Sequence, residues 1–173
     1  MLQLFTTLVS ALALTIVGAF GSIPAFAGTS TQEFVTEATN ATNFEIASSK
    51  IALERSKDPR IIDFANKMIN DHTVSAAKMI EAMKTDNLDA ALISTTIDEK
   101  HQKILDKLNQ EKPEKFDEVY AEAQENAHND AVKLFKDYAD DGEHAALKAY
   151  AGSTVPTLEL HKEHADKLES KVD

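Results

Sequence analysis

The stretch PEKFDEVYAEAQENAHNDAVKLFKDY, Pro113 to Tyr138, decides the fold. It has no glycine, and its only proline stands at the first position, where a missing N–H costs a helix nothing. Apolar side chains return every three or four residues, at Phe116, Tyr120, Ala123, Ala127, Ala131, Leu134 with Phe135, and Tyr138. That period places them on one face of an α-helix, with Gln124 and His128 on the same stripe. At 1.5 Å per residue such a helix spans about 40 Å. One apolar face of that length is not stable alone in water, so other helices must cover it.

Reading outward supplies them. Downstream, Asp140-Asp141-Gly142 is a turn and Glu143 sits where a capping carboxylate belongs. Leu147, Tyr150, Thr154, Leu158, His161, Ala165 and Leu168 then form a further stripe, which Pro156 should kink. Upstream, Thr96 with Glu99 reads as the cap of a short helix carrying Ile97, His101, Ile104 and Leu108. Asp58-Pro59 opens a long helix with Ile61, Ala65, Met68, His72, Ala76, Met79 and Met83 on its stripe, ending near Thr85. Before it, Ser30 and Glu33 make a capping box for a helix reaching Ser56, with Phe34, Ala38, Ala41, Glu45, Ser48 and Ala52 in register. The expected fold is all-α: a four-helix bundle of two hairpins, with the short extra helix in the connection between them, over residues 86 to 112.

Charge divides the chain. Of 29 acidic and 18 basic side chains, the first is Glu33. Ahead of it, Leu8 to Phe20 is an apolar run, followed by Pro24 and Ala25-Phe26-Ala27. This is the pattern of a cleavable signal peptide over residues 1 to 27, although Met1 to Thr7 carry no Lys or Arg. Gly18, Gly21 and Pro24 interrupt the run before the roughly 20 residues of a membrane span. Residues 28 to 173 are then one exported domain with no integral membrane segment, placed in the periplasm or cell envelope. An uncleaved anchor is the alternative. A net charge of -11 without clustered Lys and Arg argues against nucleic acid as a partner. The absence of cysteine excludes disulfides and thiolate chemistry and leaves His and carboxylates as the strong metal ligands.

The informative residues are polar ones that fall on apolar stripes: Glu45, His72, His128 and His161, one on each long helix. A single such histidine is commonly a hydrogen-bonded neutral imidazole. Four on four helices point to a shared site, because an isolated buried ionisable group costs several kcal/mol. Imidazole plus carboxylate is the ligand chemistry of bundle sites for iron, manganese, zinc or copper. Glu125 stands three residues before His128, the Glu-x-x-His spacing, and Glu122 lies a turn earlier, so both join the candidates. Counted from the turns, Glu45 and His72 agree in height within about 5 Å, whereas His128 and His161 differ by about 10 Å. His161 then stands nearer the level of Glu122 than of His128, so one compact site using all four is not demanded and two polar layers are the alternative. Such a site should weaken below about pH 6, where ordinary imidazoles take up protons.

Four segments carry a resemblance to a known family: Ala41 to Leu53 with Glu45, the run FANKMINDHT from Phe64 to Thr73, FDEVY from Phe116 to Tyr120 with His128 beyond it, and TVPTL from Thr154 to Leu158 leading to His161. Over essentially the whole mature chain the sequence resembles the secreted bacterial family catalogued as domain of unknown function 4142, grouped with ferritin-like bundles and often labelled an outer membrane protein. The resemblance implies a ferritin-like architecture and gives Glu45, His72, His128 and His161 special weight. It implies no activity. Ferritins carry Glu-x-x-His on two helices, whereas position 69 here is Ile69, which speaks against di-iron oxidase chemistry. Three functions remain, in order: a metal-binding protein for metal handling or stress response, a structural or interaction bundle of the envelope, and a di-metal redox enzyme.

Overall fold

The structure, a computed structural model, describes residues 29–172, so the leader expected over residues 1 to 27 lies outside the described residues. Five α-helices follow one another: α1 (Thr31–Arg55), α2 (Pro59–Thr85), α3 (Glu99–Gln110), α4 (Pro113–Asp141) and α5 (Ala145–Val172), with a 3-10 turn, Ala90–Leu92, between α2 and α3. The described residues contain no strand. None of these helices is long and apolar enough to cross a membrane.

Local chemistry sets most ends. Ser30 caps α1 by accepting the Glu33 N–H at 3.2 Å, and Asp58 caps α2 by accepting the Arg60 N–H at 2.8 Å, with Pro59 at the first helical position. The chain leaves α2 through Asn87, whose positive φ of 56° is tolerable because its short polar side chain suits the left-handed region. Gly142 is required by close approach, since a Cβ there would stand 2.5 Å from the Tyr138 carbonyl oxygen.

Two terminal details differ from the sequence expectation. Asp98, not Thr96, caps α3, accepting the His101 N–H at 2.9 Å; the Thr96 carbonyl is instead held by Ser94 Oγ at 2.9 Å. At the start of α5 the capping carboxylate is Asp86, not Glu143. Its two oxygens accept the N–H groups of Ala146 and Leu147 at 3.1 and 2.8 Å, tying the end of the first hairpin to the start of the last helix. Pro156 lies inside α5 without ending it, and the helix continues on both sides.

α1 packs on α2 and α4, and α5 packs on α4 and α2, so the four long helices enclose one interior; α3 lies across α1 and α4. Arg55 at the end of α1 donates to the carbonyls of Leu108 and Glu111 at the end of α3, where the helix leaves acceptors unpaired. Phe44, absent from the sequence stripe, is fully buried because α3 covers a second face of α1; its ring lies 4.9 Å from that of His101. The interior has two apolar ends. One gathers Phe34, Met79, Met83, Phe135, Tyr138, Leu147 and Leu158. The other gathers Ala52, Ile61, Phe64, Met68, Phe116, Tyr120, Ala165 and Leu168.

Candidate metal centre

Along each long helix one polar residue falls between these two ends: Glu45 between Ala38 and Ala52, His72 between Met68 and Met79, His128 between Tyr120 and Ala131, and His161 between Leu158 and Ala165. All four are buried, between 1% and 8% exposed, as the helical phase required. The layer closes around the histidines. The ring centroids of His72 and His128 are 5.8 Å apart, those of His72 and His161 5.7 Å, and those of His128 and His161 5.4 Å. One ring nitrogen from each lies within 4.8 Å of one from each of the others.

Two polar layers are therefore not what forms. His128 stands 13 residues before the end of α4 at Asp141, and His161 stands 16 residues after the start of α5 at Ala145. The difference of 3 residues is about 4.5 Å rather than 10 Å, because the connection consumes residues 142 to 144 without climbing along either helix. His161 thus belongs with His128, not with the level of Glu122.

Two of the rings are hydrogen-bonded through one nitrogen and leave the other open. His128 Nδ1 lies 2.8 Å from the Gln124 carbonyl, which can only accept, so Nδ1 carries the proton. His161 Nε2 lies 2.9 Å from Asp71 Oδ2. His72 Nε2, His128 Nε2 and His161 Nδ1 are buried and have no partner among the described residues. Burial pushes the His72 imidazolium pKa down to about 3, helped by the neighbouring His128 and His161, and that of His128 down to about 4. His161 is also lowered by burial, though Asp71 pulls it back. The rings are neutral at physiological pH, the state in which imidazole binds metal. At His72 and His128, proton competition then begins well below pH 6, because burial has moved it.

Glu45 occupies the edge of the layer. Its Oε1 is 3.8 Å from His128 Nδ1, but burial raises its pKa to about 8, against a weaker pull downward from the Gln124 amide. With glutamic acid and imidazole both neutral at pH 7, this contact is not an ion pair. Neither Glu45 oxygen has a hydrogen-bond partner within ordinary distance.

Glu125 and Glu122 do not join. Gln124, one turn before His128, holds the inward position on α4 and is fully buried. Glu125, 100° further round, is half-buried at the edge, and Glu122 is exposed, 3.8 Å from Lys107 of α3. The Glu-x-x-His spacing of Glu125 and His128 is incidental to an acidic helix. Asp71, 100° round α2 from its neighbour His72 and so off the apolar stripe, is a partner that stripe membership does not find: its carboxylate meets His161 of α5. The surface groove bounded by Glu33, Glu37, Asp98, Asp130 and Asp137, about 400 Å³, touches none of the three histidines.

No curated protein and no solved structure matches the chain. Residues 20–168 match a family described as a domain of unknown function (DUF4142). With most of its length matched, the helical chain whose interior carries this histidine cluster belongs to the DUF4142 family.

Proposed function

We propose that the protein is an exported four-helix bundle of ferritin-like type that binds a single metal ion through His72, His128 and His161, in metal handling or stress response at the periplasm or envelope. The carrying observation is the set of three buried, unpartnered ring nitrogens from three different helices. Histidines that only braced the interior would spend these nitrogens on hydrogen bonds, since a buried polar atom left unpaired costs about 1–3 kcal/mol. An ion satisfies all three at once. A ligand set rich in imidazole and without thiolate suits zinc or copper ahead of manganese. Ile69, where ferritins carry the Glu of a second Glu-x-x-His, ranks a di-metal oxidase lower.

The test is calorimetric titration of tag-free protein at pH 7 with zinc, copper, ferrous and manganous ions. One ion per chain is expected for zinc or copper, with a rise in thermal midpoint. At hundredfold excess over Kd the stabilisation is about 2.7 kcal/mol. His72→Ala should remove this shift and keep the helical circular dichroism. Silence for all four ions would refute the metal site and favour an interaction bundle. Intact mass of the secreted protein checks export, with Gly28 expected first.

A further inference from the structure

We propose that Asp71 is the positioning residue of this site: it fixes the tautomer of His161, so that the ring presents the Nδ1 lone pair, not an N–H, to the cluster. This rests on the metal-site reading above. Asp71 is next to His72 in sequence but 100° round α2, so its carboxylate meets α5 behind the His161 ring. Oδ2 receives Lys67 Nζ at 2.6 Å and Oδ1 receives Asn70 Nδ2 at 3.0 Å. A carboxylate held by an ammonium and an amide offers only acceptor positions to a third partner. That partner is His161 Nε2 at 2.9 Å, which must therefore be the donor. The imidazole has one proton, so Nδ1 keeps its lone pair, and Nδ1 is the buried, unpartnered atom.

His128 shows the same device with a backbone carbonyl in place of the carboxylate: Gln124 takes the Nδ1 proton and leaves Nε2 open. Two of the three rings are thus turned into acceptors from behind. The Asp71 bond adds two things that the carbonyl does not. It joins α2 to α5, fixing the rotation of the His161 ring across the helix pair. It also sets a negative charge behind the ring, which makes the opposite nitrogen a stronger donor to a metal. Asp71 lies at the edge of the interior, its side chain 23% exposed, so replacing it leaves both apolar ends of the core intact.

The experiment has two readouts. In metal-free, 15N-histidine-labelled protein, long-range proton–nitrogen correlation should show His161 protonated at Nε2, and Asp71→Ala should convert the ring to a mixture of tautomers. Zinc affinity of the Asp71→Ala variant should fall 10- to 100-fold. A wild-type His161 protonated at Nδ1 overturns the proposal, as does a variant with wild-type affinity. Should the alanine variant not fold, the wild-type ring still decides the tautomer. If wild-type protein binds no zinc or copper, the metal reading fails. The tautomer then stands or falls on the ring spectrum alone: Nε2–H in wild type and its loss in the variant uphold the positioning role.

Discussion

Replacing Glu45 by glutamine should stabilise the metal-free protein at neutral pH, an unusual outcome for a polar core substitution. Folding takes the carboxyl from its ordinary value of 4.5 to about 8, because burial disfavours the charged form. A group whose pKa rises on folding contributes stability below its unfolded pKa, and that stability is lost as pH climbs toward the folded value. At pH 7 the unfolded chain is ionised and the folded one is not. Each of the 2.5 pH units above 4.5 therefore costs about 1.4 kcal/mol, roughly 3 kcal/mol in total. Glutamine has nearly the shape of the neutral acid and never ionises. The difference in unfolding free energy between Glu45→Gln and wild type should be near zero at pH 4. It should grow with pH to roughly 3 kcal/mol at pH 7 and level off above pH 8. Urea titrations with chelator present, at several pH values, measure it, and the effects of the histidines cancel because both proteins share them. The diagnostic is the slope. A flat difference, or a variant less stable at pH 7, would mean that Glu45 is ionised in the fold, and the neutral Glu45–His128 contact at 3.8 Å would have to be reread as an ion pair.

The histidines carry the opposite sign. Their pKa values fall on folding, to about 3 for His72 and about 4 for His128, so wild-type stability is complete above pH 6.5 and lost as pH falls toward those values. In the Glu45→Gln background, where no carboxyl opposes them, the metal-free unfolding free energy should drop between pH 6 and 4.5 by more than the roughly 1.4 kcal/mol per pH unit of a single proton; a shallower slope in urea titrations would contradict neutral buried rings. Asp86→Ala orphans two N–H groups at the start of α5 and removes a charge suited to the helix N-terminus, so it should cost about 1–2 kcal/mol in chemical denaturation. Glu143→Ala should cost under about 0.5 kcal/mol, and the reverse ranking would restore Glu143 as the cap.

The helices and their inward faces were legible because both are local. A period of 3.6 fixes which side chains share a face whatever packs against it, so Glu45, His72, His128 and His161 could be placed inside from residue order alone. Two caps formed within a few residues, Ser30 on Glu33 and Asp58 on Arg60, were readable for the same reason, whereas at α3 two local candidates competed and Asp98, not Thr96, took the position. Contacts set by how whole helices slide and turn against one another were not. Phe44 is buried only because α3 crosses α1, and Asp86 caps α5 only because the ends of two hairpins meet. The level of His161 depended on how many residues the Gly142 turn takes up, a few ångströms that separate one histidine cluster from two layers. Asp71 meets His161 across 90 residues of sequence. The sequence by itself determined which residues point inward, since helical phase is a property of the backbone; only the tertiary structure decided which of them meet, since height and partnership are relations between helices that no single helix contains.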